Sequence, residues 1–255
     1  MQLQHEEGLR FGDAAVKLGL LTAADIEKAV ARQFDHPLLQ RGESKVKEEV
    51  IAAYAPFTPE VDALRAMRAQ LSLRWFDGDP LRTSLAVLSA ERGEGRSFIA
   101  ANLAVIFSQL GERTLLVDAD LRNPRQHELF GLENRTGLSA MLSGRAGRPN
   151  TLQHVAGLPG LSVLTAGVPP PNPLELLARP AFPNMLAELR QKFSVIILDS
   201  SAASEHADAL TVTVRTGAAL VVVRKNAARK WRVRGISEHV TDCRARIVGT
   251  VLNDF

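Results

Sequence analysis

The chain has 255 residues, of which 45% are hydrophobic and 23% are charged, so it can bury a sizeable core as a globular protein. No apolar run reaches the roughly 18 residues of a bilayer span, the N-terminus lacks a secretory signal pattern, and one cysteine excludes an internal disulfide or a cysteine-rich metal site. A net charge of +3 does not by itself indicate a nucleic-acid partner, and we expect a cytoplasmic protein.

Residues 1–35 are predicted to form a small helical module. Short apolar stripes lie on either side of Gly19, and Thr22 with Asp25 has the spacing of a capping box. A segment this short buries little core, so we expect it to dock or to bind a partner. Residues 36–58 are polar and interrupted by glycine and proline, which predicts a linker with one irregular helical turn. The only tyrosine of the sequence, Tyr54, lies in this segment.

A helix is predicted to begin at Thr58 and Pro59, with Thr as the N-cap and Pro in the first helical position. Asp62, Arg65 and Arg68 recur every three residues along it, on neighbouring parts of one surface. Spacing alone leaves two interpretations open. These side chains pair with a second subunit, or they form a solvated face and pair with one another.

The next segment has the order of a phosphate-binding loop: an apolar strand, a glycine-rich turn and a helix. Gly93 and Gly95 let backbone N–H groups approach an anion, and Arg96 and Ser97 follow where a helix N-terminus favours negative charge. The Walker A pattern G-x-x-x-x-G-K-[ST] is not met in full, because Ala90 stands at the first glycine and Arg96 at the lysine. On the loop alone, nucleotide binding and a plain strand–helix turn both stay open.

Two later apolar strands end in acids. TLLVDAD carries Asp118 and Asp120, and SVIILDS carries Asp199. The carboxyl edge of an open α/β sheet is where ligands bind, and alternate spacing points Asp118 and Asp120 the same way. A lone strand-terminal Asp is equally well a helix cap. One strand end leads into the glycine-rich loop, and two others carry these acids. Together, the three strand ends predict nucleotide and Mg²⁺ binding.

Further apolar runs alternate with helical segments and complete the predicted fold. We predict strands at 161–164, 218–223 and 247–252 and helices at 185–192, 207–215 and 230–240. This alternation is typical of a doubly wound, mostly parallel α/β sheet with helices on both faces, as in P-loop NTPases. We assign residues 59–255 to this domain.

Four motifs in chain order resemble the bacterial tyrosine kinase (BY-kinase) family: SAERGEGRSFIAANLA, TLLVDADLRNPRQHELFGLENRTGLSAMLSG, LSVLTAGVPPPNPLELL and VIILDSSAASEHADA. Members of this family are P-loop ATPases that work with chain-length-determinant membrane proteins in exopolysaccharide export. The EpsG-type subgroup is similar in carrying Arg in its Walker A motif. The resemblance covers about residues 59–255. It implies ATP and Mg²⁺ as cofactors, self-association, an inner-membrane chain-length-determinant partner that recruits the protein to the membrane, and no specific nucleic acid.

The resemblance also implies roles for individual residues. The nucleotide-binding set is Arg92, Gly93, Glu94, Gly95, Arg96, Ser97 and Phe98. The implied catalytic residues are Asp118, Asp120 and Arg96, and one of the two acids is proposed to accept the proton of the tyrosine hydroxyl. The implied Mg²⁺ ligands are Ser97, Asp120 and Asp199. Asp62, Arg65 and Arg68 match the family's E-x-x-R-x-x-R oligomerisation motif with Asp in place of Glu, which favours the subunit-contact interpretation.

The sequence leaves three activities open. The first is phosphoryl transfer to Tyr54 of a neighbouring subunit, to a partner's tyrosine or to water; no tyrosine cluster follows Tyr54, so we do not expect tail autophosphorylation. The second is a nucleotide-switched scaffold with little transfer, which Arg96 favours. The third is a ParA/MinD-like positioning ATPase that uses the basic C-terminal residues on DNA or membrane. Glu91 stands where such proteins carry an extra lysine, which counts against the third.

Overall fold

The computed structural model describes residues 11–22, 25, 26, 29, 37–144 and 151–254. Seven strands within them form one sheet: β1 (Ser84–Ser89), β2 (Thr114–Asp118), β3 (Leu152–His154), β4 (Leu161–Leu164), β5 (Val195–Asp199), β6 (Ala218–Arg224) and β7 (Arg246–Asn253). The spatial order is β3-β4-β2-β5-β1-β6-β7, and each neighbouring pair is parallel except β3 with β4. The predicted doubly wound, mostly parallel sheet is therefore confirmed.

Ten helices are defined in the described part of the chain. They are α1 (Phe11–Lys17), α2 (Ile51–Tyr54), α3 (Pro59–Arg74), α4 (Arg96–Gln109), α5 (Gln126–Phe130), α6 (Leu138–Leu142), α7 (Pro173–Ala178), α8 (Ala181–Arg190), α9 (Asp208–Thr216) and α10 (Lys230–Asp242). None of these described helices has the length and apolarity that a membrane span requires. The short helices α5 and α6 and the strand β3 are absent from the sequence prediction, because elements of three to five residues show no clear periodicity.

Helices cover both faces of the sheet. Successive side chains of a strand point to opposite faces, so each strand contributes to two buried clusters. Leu85 and Val87 of β1 belong to one buried cluster, which also contains apolar residues of α3 and α4. Ala86 and Leu88 belong to the other, with residues of α8, α9 and α10. The central strands are buried along their whole length. This burial holds the carboxyl ends of the central strands in fixed positions at one edge.

The helix α3 begins as predicted. The Thr58 hydroxyl accepts a hydrogen bond from the Val61 N–H at 3.4 Å, and Pro59 is the first helical residue. Leu64 and Leu71 are buried in the cluster that also contains apolar residues of α4 and β1. The cap and the apolar stripe therefore account for where this helix starts and which side it buries.

Residues 37–57 pack into the core, unlike the linker that the sequence predicts. Val50 and Ala52 are fully buried, and α2 supplies the one helical turn expected there. The side chain of Asn102, fully buried in α4, accepts a hydrogen bond from the Ala52 N–H at 2.9 Å and donates to the Glu49 carbonyl at 3.2 Å. The apolar residues of this segment follow neither a helical nor a strand period, which is why the sequence did not show their burial.

Part of the N-terminal module is described. α1 is present, and Thr22 and Asp25 form the predicted capping box: the Thr22 N–H donates to the Asp25 carboxylate at 2.9 Å, and the Asp25 N–H donates to the Thr22 hydroxyl at 3.2 Å. Most of residues 1–10 and 23–36, on which the prediction of a two-helix module depends, lies outside the described residues.

The Asn102→Ala variant tests how strongly residues 37–57 are held. We expect the free energy of unfolding to fall by about 2–3 kcal/mol, because the buried Ala52 N–H loses its acceptor and a cavity opens. Urea unfolding followed by circular dichroism measures the change. The control is Asn184→Ala, the same replacement at an exposed position of α8, which should change stability by less than about 0.5 kcal/mol. Equal stability of the two variants would contradict the anchoring role of Asn102.

Candidate functional site

Three adjacent strands bring the predicted site residues to one edge of the sheet. In the parallel register, Asp118 of β2 lies beside Asp199 of β5, and Asp199 lies beside Val87 of β1. The glycine-rich loop follows β1 directly, so the loop and both acids emerge together. The convergence that the sequence predicts is present in the structure.

The loop between β1 and α4 depends on two glycines. Gly93 and Gly95 have φ angles of 76° and 95°, in the left-handed region where a side chain would be strained. Glu94 is buried, and its carboxylate accepts a hydrogen bond from the Glu91 N–H at 2.9 Å. Asn253, at the end of β7, donates to the Glu94 carbonyl at 3.1 Å. The loop is therefore held in a defined turn that ends at the N-terminus of α4, where N–H groups favour an anion.

Arg96, in place of the Walker lysine, is buried in the site. Its Nε donates to the Ser200 carbonyl at 2.9 Å, and one terminal nitrogen donates to the Ser89 hydroxyl at 2.5 Å and to the Glu91 carbonyl at 3.1 Å. The other terminal nitrogen lies 3.8 Å from the Asp120 carboxylate. The guanidinium group thus joins the ends of β1, β2 and β5, which a lysine with a single nitrogen does less completely.

Asp118 and Asp199 are both buried carboxylates. Asp118 Oδ2 accepts the N–H groups of Arg125 and Gln126, each at 2.9 Å, and so caps the start of α5. Burial and the neighbouring charge of Asp199 hold the pKa of Asp118 well above its usual range. Burial also raises the pKa of Asp199, although the positive charge of Arg96 opposes that shift. Two like charges are therefore enclosed side by side, which favours a cation or a proton between them.

The predicted metal ligands fit a nucleotide-bound Mg²⁺. Among the described residues, no cluster of three or more His, Cys, Asp or Glu side chains is arranged to hold a metal by itself. Mg²⁺ in nucleotide sites takes one or two carboxylates and completes its shell with phosphates and water. Ser97 is close enough to Asp199 to stabilise its charged form. Oδ1 of Asp118 and Oδ1 of Asp199 lack a well-aligned hydrogen bond within the described residues, as expected for oxygens near a cation site.

Asp120 has a different environment from that of Asp118. Its Oδ1 accepts the N–H groups of Arg122 and Asn123 at 3.2 and 2.9 Å, so it also fixes the loop that follows β2. Its other oxygen faces Arg96. The two acids that the sequence treats as one pair therefore make separate contacts, although their charges remain close enough to interact.

Three site residues were not predicted from the sequence. Gln126 is fully buried and contacts Ser97 and Asp199. Arg122 donates to the buried carboxylate of Asp208 from Nε at 2.6 Å and from a terminal nitrogen at 3.4 Å. Arg122 lies two residues after Asp120. Its position directly after the acidic motif could have identified it as a site residue from the sequence. No pattern links positions as distant as 122 and 208, or 126 and 199.

The remaining predicted residues of the loop, Arg92 and Phe98, make other contacts. The partly buried side chain of Phe98 packs against the core cluster, and its backbone N–H lies in the first turn of α4, where an anion is favoured. Arg92 is exposed, and its Nε lies 3.9 Å from the Glu205 carboxylate. Neither side chain therefore contacts the cluster of Arg96, Asp120 and Asp199.

The predicted oligomerisation residues lie on α3, outside this cluster. Arg65 donates to Asp62 at 2.9 Å and to the Pro56 carbonyl, so the two side chains pair within one chain. Burial lowers the pKa of Arg68, with the charge of Arg65 as a second cause. Both interpretations of this surface stay open, because an exposed acid and two arginines can pair in either way.

Tyr54 does not present its hydroxyl to solvent. Its side chain is buried, and the hydroxyl donates to the Val46 carbonyl. The hypothesis that Tyr54 accepts phosphate from a neighbouring subunit does not fit this packing, because the hydroxyl is used to hold residues 37–57 together.

The chain is similar to known bacterial tyrosine kinases. It is 31% identical over 210 residues to the tyrosine-protein kinase YwqD of Bacillus subtilis, covering 82% of this chain and 87% of that protein. It is 32% identical over 196 residues to the tyrosine-protein kinase Ptk of Acinetobacter johnsonii, which is 76% of this chain but 26% of the relative, so it spans about a quarter of that protein's length. No protein-family model matches the chain.

Solved structures share the fold. The kinase domain of the Escherichia coli tyrosine kinase ETK has a TM-score of 0.77 and 29% identity, covering 85% of this chain and 83% of that one. The cell-division ATPase MinD of Pyrococcus furiosus has a TM-score of 0.59 and 22% identity, covering 67% and 71%. The second likeness shows the fold alone, that of a P-loop NTPase.

The Asp118→Asn variant tests the electrostatic strain of the paired acids. Because the folded-state pKa is raised, ionisation of Asp118 costs stability as the pH rises above the usual Asp range. Asn keeps an oxygen for the α5 cap and removes the charge. We expect the nucleotide-free, metal-free protein to gain about 1 kcal/mol of stability at pH 8, and less at pH 5.

The contrasting control is Asp208→Asn. Asp208 is as deeply buried, but its charge is paired with Arg122. We expect this variant to lose about 1–2 kcal/mol at pH 8. Chemical unfolding at both pH values measures the two effects. Destabilisation by Asp118→Asn at pH 8 would show that like-charge repulsion does not dominate at β2 and β5.

Proposed function

The chain belongs to the family of bacterial tyrosine-protein kinases, and we propose that it transfers a phosphoryl group from ATP, held with Mg²⁺, to a tyrosine of another protein. The observation that carries this proposal is the meeting of the glycine-rich loop with Asp118 and Asp199 at one sheet edge. Phosphoryl transfer requires mainly positioning and charge neutralisation, and these residues are suited to both.

The loop would hold the triphosphate. Backbone N–H groups between Gly93 and Ser97 supply donors at the N-terminus of α4, and Arg96 supplies a positive charge with several donors. Ser97, Asp120 and Asp199 would hold Mg²⁺. When bound, the ion neutralises charge on the phosphates. The fit is supported by the buried acids, whose charges attract a cation more strongly than exposed acids do.

Asp118 is suited to accept the proton of the tyrosine hydroxyl. One of its oxygens is fixed by the start of α5, and Oδ1 has no partner among the described residues. Burial makes this carboxylate a stronger base than a solvated one, because its charged form is less stable. The bond from the γ-phosphorus to the bridging oxygen of ADP breaks as the tyrosine oxygen attacks, and the hydroxyl proton passes to Asp118.

The acceptor tyrosine is proposed to belong to a different protein, because the single tyrosine of the sequence is buried. The setting we propose is exopolysaccharide export, with an inner-membrane chain-length-determinant protein as partner and recruiter, and the chain as an EpsG-type member. Support comes from the four motifs and from relatives named EpsB in Ralstonia and CapB in Staphylococcus aureus. Hydrolysis of ATP, with water as the acceptor, is the fallback activity.

A nucleotide-switched scaffold is the second candidate. Arg96 supports it, because its guanidinium joins the ends of three strands through Ser89, Ser200 and Asp120. A nucleotide that competes for this guanidinium would alter all three contacts at once. In this candidate, ATP controls self-association through α3 and little phosphate is transferred.

The kinase proposal is tested by incubating the purified chain with ATP, Mg²⁺ and a tyrosine-containing acceptor, such as a glutamate–tyrosine copolymer or the cytoplasmic segment of a chain-length determinant. We expect phosphotyrosine on the acceptor and at least a 100-fold lower rate for Asp118→Asn, about the contribution of a general base. Tyr54→Phe should keep the wild-type rate. Equal rates for Asp118→Asn and the wild type would remove Asp118 from the chemistry, and ATP turnover without phosphotyrosine would favour the scaffold.

The proposed self-association is tested by Arg68→Ala. We expect sedimentation to show oligomers of the wild type with ATP and Mg²⁺, and association about tenfold weaker, or about 1.4 kcal/mol, for the variant. Arg74→Ala, at an exposed position on the same helix, is the control. If Arg68→Ala and Arg74→Ala associate alike, the α3 surface formed by Asp62, Arg65 and Arg68 is not the interface.

A further inference from the structure

Gln126 connects three parts of the site. It is the first residue of α5 and fully buried. Its side-chain Nε2 donates to the Ser97 carbonyl at 3.1 Å and to Asp199 Oδ2 at 2.8 Å. Its backbone N–H donates to Asp118 Oδ2 at 2.9 Å. One residue therefore contacts the start of α4 and the two paired acids.

The chemistry of these partners fixes the orientation of the amide. A backbone carbonyl and a carboxylate accept hydrogen bonds and donate none, so the NH₂ group of Gln126 must face Ser97 and Asp199. The amide oxygen, Oε1, is then directed away from both. Within the described residues it has no hydrogen-bond donor, and the same holds for Oδ1 of Asp118. Buried acceptors without donors are costly and require an explanation.

A metal-bound water is a hydrogen-bond donor that suits such buried acceptor oxygens. Mg²⁺ keeps several of its waters when it binds to proteins, and its charge makes them strong donors. Groups that contact the ligands rather than the ion commonly orient those ligands, and their loss weakens metal binding about 10- to 100-fold. Gln126 Nε2 holds Asp199, a proposed metal ligand, and Gln126 Oε1 is an acceptor without a partner in the described part of the chain.

We propose that Gln126 is a positioning residue of the metal–nucleotide site, which orients Asp199 through Nε2 and accepts a hydrogen bond from a metal-bound water through Oε1. The inference rests on the proposed function, since it requires that Mg²⁺ and a nucleotide bind at this edge. It adds a residue to the site that does not touch the reacting atoms. A solely structural role would instead make Gln126 a bridge between α4 and α5, with an effect on stability alone.

The test uses the full chain and the variant Gln126→Met, which keeps the length and apolar stem of the side chain and removes both the donor and the acceptor. Calorimetry measures binding of a non-hydrolysable ATP analogue over a series of Mg²⁺ concentrations and in EDTA. We expect the half-saturating Mg²⁺ concentration to rise about tenfold, while the affinity in EDTA stays at the wild-type value. Electron paramagnetic resonance of Mn²⁺ in place of Mg²⁺ should show the same loss of metal affinity.

Gln109→Met is a matched control. The Gln109 amide also donates two hydrogen bonds, to the carbonyls of Pro37 and Ala52 at 3.1 and 2.9 Å, and its Oε1 is likewise unpaired within the described residues. It lies at the far end of α4, away from the site. We expect this variant to lose stability but to keep the wild-type dependence on Mg²⁺.

Wild-type Mg²⁺ dependence in Gln126→Met would overturn the inference, and so would an equal shift in Gln109→Met. Gln126→Leu, which removes the same groups, replaces the Met variant if thermal melting shows that the latter does not fold. Failure of the wild type to bind the analogue at any Mg²⁺ concentration is a separate result: it would overturn the proposed function and this inference with it.

Discussion

The site depends on two carboxylates that are buried side by side on adjacent parallel strands. The register of β2 and β5 places Asp118 beside Asp199, and the core on both faces of the sheet prevents the strands from separating. Their repulsion opposes folding, so the surrounding structure must supply donors and positive charge. The N–H groups at the start of α5, the amide of Gln126 and the guanidinium of Arg96 fill this role.

This arrangement connects stability with function. Two enclosed like charges lower the free energy of unfolding while no cation is bound. A cation that relieves their repulsion restores this stability, so the repulsion increases the affinity for a metal–nucleotide complex. The same burial that is unfavourable for folding raises the basicity of Asp118. A phosphate-binding loop held by Glu94 and Asn253 completes a site whose parts are positioned before a ligand arrives.

Segment 37–57 shows how packing changes the interpretation of a residue. In the sequence, Tyr54 lies in a polar stretch and qualifies as a phosphate acceptor. In the structure its ring is buried and its hydroxyl holds the carbonyl of Val46. The burial arises because α4 provides Asn102 and Gln109 as partners for backbone groups of this segment. The proposed acceptor is therefore a tyrosine other than Tyr54, on another protein.

The sequence by itself determined a mostly parallel sheet of alternating strands and helices, without β3, α5 and α6, and the edge at which Arg96, Ser97, Asp118, Asp120 and Asp199 meet. It could do so because these features follow from local signals: apolar runs, strand-terminal acids and glycines that only a tight turn requires. Only the tertiary structure decided the separate environments of Asp118 and Asp120, the pairing of Arg122 with Asp208 and the bridging position of Gln126. The bonds of Gln126 to Asp118 and Asp199 and of Arg122 to Asp208 join residues 8, 73 and 86 positions apart. No periodicity in the chain records which distant groups the packed sheet will bring within hydrogen-bond distance.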